Sequence, residues 1–400
     1  MKRVNLPLKM CIIVVALLFT SCDKDFDGGN KGPKFLVGCT GNDQGLKPGI
    51  YSLTIGKTAP NLSFISEYRP WAFSLDMMDY NNDRIAFSVE RSLVPEGESG
   101  IAYMDADNLK DIAFAPIPTA PKDYYYSVPD ERPRVLSDGS IAYRVVLNTD
   151  NPYDDAHCGM LAIYNPQTEE IELSGDPTTF VLAQPEKGGD TEGGSMGAGF
   201  VISPDDRYAY CTVYGFGTDW GMYHIDYEFI VRYEIGSPGS YTRIAQTSDD
   251  PTAVTGDQDY LITTGDGLHK IDLSTKINTK VDDYYNKFNP GQISKSSCKM
   301  FKIWRGSGLG EFDWEKAEPW MQIIDGASIT TTNYRGLGHG GQYSTDESKI
   351  YFTGSTDFYT NYQTDLVIYS TPKIKLNATP DSLTTIPAEY CTGVFLLLDD

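Results

Sequence analysis

Four histidines, His157, His224, His269 and His339, are the residues of this chain best placed by type to move a proton near neutral pH. None stands at metal-ligand spacing from another, and no cofactor motif accompanies them, so neither a metal nor a cofactor is expected. Asp154 and Asp155 shortly precede His157, and Glu192 lies further on; any of these with His157 or His339 could form the acid/base pair of a hydrolase. The cations Arg305 and Arg335 offer charge to an anion. The richest signal is aromatic: Tyr153, Trp220, Tyr223, Trp304, Tyr334, Phe358, Tyr359, Tyr362 and the run Tyr124-Tyr125-Tyr126. Exposed rings stack on sugars or flat ligands at small entropic cost, although rings also fill cores.

Other patterns carry less. Asp79, Asn81 and Asp83 alternate oxygen ligands, yet no EF-hand Gly and Glu follow, so they read as a turn. Gly193-Gly194-Ser195-Met196-Gly197 is no phosphate loop, because neither Lys-Ser/Thr nor a helix follows. Gly336-x-Gly338-x-Gly340-Gly341 reads as backbone approaching a crowded wall. No G-x-S-x-G elbow exists. With 55 acidic and 33 basic residues the chain carries a formal charge of −22. That field disfavours nucleic acid and anionic membrane surfaces as partners, while 40% apolar residues are too many for a disordered acidic chain.

The chain opens with Lys2, Arg3 and Lys9, then the apolar run Met10 to Phe19, then Thr20-Ser21-Cys22. The run is shorter than the roughly 20 residues that span a bilayer, and has the length of a signal-peptide core. Thr20-Ser21-Cys22 resembles the lipobox of bacterial lipoproteins, which implies a signal peptide over 1–21 and lipidation of Cys22. Residues 22–33 are polar and Gly-rich, a flexible tether. Their acids and lysine, directly after the cysteine, resemble the export signal of Bacteroidota-type surface lipoproteins. That implies a protein anchored to the outer membrane by lipid alone and facing the exterior. Five cysteines remain: Cys39, Cys158, Cys211, Cys298 and Cys391. Their spacings are irregular, so buried free thiols are expected, with one or two bridges as the alternative.

Across residues 34–400 one pattern recurs: an apolar strand, an acidic or Gly turn, and a second strand rich in aromatics. Its turns hold Asp83, Asp138, Asp205, Asp257 and Asp346, at intervals of about fifty residues or more, with room for a degenerate copy around Cys298 to Ile324. The clearest copy continues through a polar loop at Gly215 to Asp226, a third strand at Tyr227 to Ile235 and a fourth at Tyr241 to Ala245. Ser203-Pro204-Asp205-Asp206-Arg207-Tyr208-Ala209-Tyr210 resembles the first turn of TolB-like and lactonase-like β-propeller blades. The expected fold is therefore an all-β propeller of seven four-stranded blades, with six or eight as alternatives. The first blade, with strands at Phe35–Thr40, Ile50–Ile55 and Leu62–Ser66, has no inner strand of its own. Gly393 to Leu398, apolar on both faces, is expected to complete it and close the ring.

In such a ring the second-to-third strand loops and the blade-to-blade connections crowd one face. The binding candidates on that face are Tyr153, His157, Trp220, Tyr223, His224, Trp304, Arg305, Tyr334, Arg335, His339, Phe358 and Tyr359. Phe35 to Gly41, followed by Gly49-Ile50-Tyr51, resembles the opening of lactonase-type propellers, which hydrolyse sugar lactones. Leader, tether and repeat together resemble the lipidated Bacteroidota propellers that accompany TonB-dependent transporters. That resemblance implies a non-catalytic protein capturing a glycan or an iron–siderophore complex for an outer-membrane transporter. A lactonase-like hydrolase and a protein–protein scaffold are the alternatives.

Overall fold

A computed structural model describes residues 34–39, 47–55, 60–70, 78–129, 131–149, 158–175, 191–219, 222–239, 241–247, 249–265, 267–282, 288–293, 299–304, 308–313, 337–344, 346–355, 363–370, 381–389 and 391–396. The expected leader and tether lie outside them. Strands β1 (Lys34–Cys39), β2 (Gly49–Ile55) and β3 (Pro60–Ser66) form an antiparallel meander. The second sheet is β4 (Met78–Asn81), β5 (Arg84–Ser88), β6 (Ile101–Asp105) and β7 (Asn108–Phe114). In the third, β8 (Tyr124–Ser127) and β9 (Arg134–Val135) both pair with β10 (Ile141–Thr149), followed by β11 (Cys158–Asn165) and β12 (Glu170–Leu173). The fourth holds β13 (Thr191–Ile202), β14 (Tyr208–Asp219), β15 (Met222–Glu234) and β16 (Tyr241–Gln246). The fifth holds β17 (Asp250–Val254), β18 (Tyr260–Thr264), β19 (Leu268–Asp272) and β20 (Asn278–Asp282). Then come β21 (Phe288–Ile293), β22 (Lys299–Trp304) and β23 (Gly308–Asp313), and finally β24 (Leu337–Tyr343), β25 (Lys349–Ser355), β26 (Gln363–Ser370) and β27 (Ser382–Glu389).

The last strand, β28 (Cys391–Leu396), does not continue the seventh sheet. It crosses to the first and pairs with β1, from Phe35 opposite Leu396 to Cys39 opposite Cys391. The described residues thus form seven sheets. Each packs on the next in chain order, through β3 on β7, β4 on β9, β11 on β13, β13 on β17, β17 on β21 and β21 on β24, and β24 packs on β28 to close the circle. This cyclic order of antiparallel meanders is a β-propeller. The closure expected from the C-terminal apolar run is present, and a sheet stands at 288–313 where a degenerate copy was expected. Among the described residues one 3₁₀ turn, Arg91–Leu93, is the sole helical element.

Ring packing explains why so many strands are apolar on both faces. Along β1, Leu36 joins Ile50, Met78, Ile85 and Phe87 on the side of the second sheet. Its neighbours Phe35 and Val37 join Tyr51, Leu53, Tyr351 and Leu366 on the side of the seventh. Alternate residues of one strand therefore serve two different cores. Much of the tyrosine content is mortar between sheets. Tyr143, Tyr233 and Tyr351 are fully buried, and Tyr143 and Tyr241 send their hydroxyls to the carbonyls of Pro116 (2.6 Å) and Ser174 (3.0 Å).

The recurrent turn has a reproducible chemistry. In three copies a Ser or Thr hydroxyl donates to an Asp Oδ1 two residues on, at 2.6 Å each: Ser203 to Asp205, Thr255 to Asp257 and Ser344 to Asp346. The same hydroxyl oxygen accepts the backbone N–H five residues on, from Tyr208, Tyr260 and Lys349, at 3.0 Å each. The residue after each Asp is left-handed: Asp206 at φ 56°, Gln258 at 64° and Glu347 at 55°. Asp79 and Asn81 bond across to the third sheet: Val135 N donates to Asp79 (2.8 Å) and Asn81 Nδ2 to Val135 O (3.0 Å). Asp83 accepts from Tyr80. These three side chains hold turns and sheets together, as the turn reading expects.

Three expectations are corrected. Tyr124, Tyr125 and Tyr126 are not a connection but strand β8, paired with Asn148 and its neighbours in β10. Proline at 129 and 133 removes ladder donors and splits the inner strand there. Residues 215–226 are not a polar loop: β14 runs on to Asp219 and β15 begins at Met222. Cys39 is disulfide-bonded, whereas Cys211 is the buried free thiol that was expected.

Candidate functional site

Each sheet has two ends. The Ser/Thr–Asp turns occupy the end where first strands meet second strands. Second-to-third connections and sheet-to-sheet connections occupy the other, the mouth. Tyr153, Asp154, Asp155, His157, Trp220, Arg305, Tyr334, Arg335, Phe358, Tyr359 and Tyr362 lie outside the described residues. The backbone of the others is placed. Tyr223 and His224 stand in β15 opposite Thr218 and Gly217. Trp304 ends β22, opposite Phe288 and Gly308. His339 falls at a register shift between Gly338 and Gly340 in the inner strand β24, and Glu192 at another, between Thr191 and Gly194 in β13. Of the β8 tyrosines, Tyr126 is buried and Tyr125 is 47% exposed.

The fourth sheet is unlike the rest. Strands β13, β14 and β15 have 12, 12 and 13 residues, where β17, β18 and β19 of the next sheet have 5 each. At about 3.3 Å per residue the surplus carries the β14–β15 ladder roughly 20 Å further toward the mouth. Asp219 pairs with Met222 at its far end, so Trp220 and Gly221 are the two residues that join the strands. Tyr214, Phe216, Tyr223 and Tyr227 lie on the same extension.

The fifth sheet carries the described polar constellation at this end. Asp249, 2% exposed, precedes β17. Its Oδ2 lies 3.5 Å from His269 Nδ1 and accepts from Thr263 Oγ1 at 3.4 Å. His269 Nδ1 is also 3.2 Å from Asn278 Oδ1. Gly265 makes room for the carboxylate, since a Cβ there would stand 2.1 Å from Asp249 Oδ1. Thr212 Oγ1, from β14, reaches both Asp249 O and Asp250 Oδ1 at 3.3 Å. Burial pushes the Asp250 carboxyl above the ordinary range and the charges of Glu228, Glu131 and Asp249 add to it, against the Thr212 bond. Glu131 in turn pairs with Arg144 at 2.5 Å, and Arg144 Nε donates to Met196 O at 3.0 Å.

An imidazole oriented by a buried carboxylate is a general acid–base arrangement. His269 is the histidine that sequence reasoning left off the mouth. Its signals were the Asp249-Asp250 pair opening an inner strand and the Gly265-Asp266-Gly267 turn that brings β19 back beside it. Among the described residues no group of three or more His, Cys, Asp or Glu is placed to hold a metal ion.

No family model and no curated relative matches this chain. Among solved structures it is similar to TolB from Acinetobacter baumannii, at 11% identity over 92% of this chain and 67% of that one, with a TM-score of 0.42. A protein from Lactobacillus plantarum gives 13% identity over 92% and 99%, with a TM-score of 0.48. The Pseudomonas aeruginosa periplasmic gluconolactonase gives 10% over 92% and 99%, with a TM-score of 0.46. At these identities and scores the likenesses say nothing about ligand or chemistry. The cyclic sheet order above is what makes the chain a β-propeller.

Proposed function

We propose that this protein is a lipid-anchored β-propeller that binds a nutrient at its mouth without turning it over. The ligand class is a glycan or an iron–siderophore complex, presented to an outer-membrane transporter. The observation that supports this reading is the extended β14–β15 ladder, which carries Tyr223 and His224 and ends on the connector Trp220-Gly221. Aromatic residues along a ladder longer than that of the neighbouring sheet suit a sugar face as ligand. A neutral glycan avoids the protein's own negative field; an anionic siderophore complex needs Arg305 and Arg335 at the mouth. Cys22 would carry the lipid and residues 22–33 the tether.

Calorimetry of the protein against a panel of neutral oligosaccharides and ferric siderophores tests the reading. Saturable binding with the ligand recovered intact, weakened tenfold or more by Trp220→Ala or Tyr359→Ala, is the expected result. Unchanged binding in both variants overturns the mouth as the site. The second reading, a lactonase-like hydrolase, is favoured by the Asp249–His269 pair. It requires turnover of a sugar lactone that His269→Ala abolishes.

A further inference from the structure

We propose that the ring is locked by a disulfide between Cys39 and Cys391, joining the first described strand to the last. Three observations lead there. Cys39 is disulfide-bonded. It lies in β1, and the residue directly opposite it in the closing strand β28 is Cys391. Directly opposed residues of an antiparallel pair have Cα atoms about 4.5–5.5 Å apart, inside the range a disulfide spans. The other placed cysteines do not compete. Cys211 is a buried free thiol. Cys158 stands opposite Leu147 in the third sheet, which packs on the second and fourth, while Cys39 belongs to the first.

The bond would sit at the one joint of the ring where a sheet is assembled from distant parts of the chain. Among the described residues all other sheets are local meanders, zipped by hairpins. The first needs β28 to return across more than three hundred residues, and a bridge over so long a loop removes the most freedom from the unfolded chain. Cys39 is wholly buried, packed with Phe35 and Val37 against Tyr351 and Leu366, so the finished bridge is shielded from reductants. In forming it the two thiols release two protons, their sulfurs join, and two electrons pass to an exchanging protein disulfide, which leaves as a dithiol. This chemistry needs an oxidising compartment, in keeping with the export expected from the leader, but it does not depend on what the mouth binds.

Peptide mapping of the intact protein, alkylated under denaturing conditions without reductant, tests the assignment. The expected product is a Cys39 peptide joined to a Cys391 peptide, lighter by two hydrogens than the pair of thiols. Denaturant then exposes two further thiols only after reduction, and Cys391→Ser leaves Cys39 alkylatable. Reductant lowers the thermal midpoint of the parent and not that of the Cys39→Ser/Cys391→Ser double variant. A Cys39 peptide recovered alkylated from the parent, or joined to Cys158 or Cys298, overturns the proposal whether or not the variants fold.

Discussion

Gly159 in β11 faces the carbonyl of Met196 in β13 so closely that a Cβ at residue 159 would stand 2.2 Å from that oxygen, with Arg144 Nε 3.1 Å away. The third and fourth sheets meet there across bare backbone, and Arg144 bonds the same Met196 carbonyl from its own sheet. Gly159→Ala must push the two sheets apart, because the obstructing atom belongs to main chain and cannot rotate away. Overpacking of this kind costs about 1–3 kcal/mol. A lower urea midpoint with an unchanged slope is the expected outcome.

The Ser/Thr–Asp turns give a pH signature. Bonds from the Ser344 hydroxyl first, then from Ser348, hold the Asp346 carboxyl down to about 2. A depressed carboxylate stabilises the fold above its unfolded value, near 4, and loses that contribution as pH falls toward 2. Asp346→Ala should therefore lower the thermal midpoint at pH 7, by the equivalent of about 1 kcal/mol for the lost bonds. The gap between parent and variant should narrow steadily as pH falls from about 4 toward about 2. A gap undiminished over that range would show that the turn acts through something other than the ionised carboxylate.

Asp250 has the opposite sign. Its raised carboxyl is less comfortable ionised in the folded ring than in the unfolded chain. The folded state therefore binds more protons across the window above the ordinary carboxylate value, and stability falls as pH rises through it. Asp250→Asn keeps an acceptor for Thr212 and removes the charge. Calorimetric melting should place the variant above the parent at pH 7–8 and level with it near pH 3.

Cys211 should be chemically silent in the native protein. Burial pushes its thiol up to about 12, against a smaller pull from Arg144. At pH 8 the thiolate fraction is then on the order of one in ten thousand, and the thiolate is the reactive form. Iodoacetamide should leave residue 211 unmodified in the native protein and label it fully in urea, read by mass spectrometry. Labelling of the native protein at the denatured rate would mean that the core between the third and fourth sheets opens readily.

The fold was legible in the sequence because its turns are encoded locally. Ser203-Pro204-Asp205-Asp206 and its counterparts form one hydrogen-bonded device within six residues, and the two-faced apolarity of Gly393 to Leu398 announced the strand that closes the ring. The errors arose where composition and geometry diverge. Residues 215–226 are polar and glycine-rich, yet the ladder from Tyr214 opposite Glu228 to Asp219 opposite Met222 extends through them. The pairing of Cys39 with Cys391 could not be read from spacing, since register between distant strands leaves no local trace. His269 was passed over for a similar reason. Its partner Asp249 lies in a different element, and only the fold brings the two together.

The return of β28 to β1 sets an order of events on a protein that emerges from its N-terminus. The strands β1, β2 and β3 are made first, yet the inner edge of β1 has no neighbour until residue 396 has been released. Throughout synthesis that edge, with Phe35, Leu36 and Val37 along it, stays open to the wrong partner. A handover that shields the earliest strands until the latest arrive would govern yield more than any single contact in the finished ring.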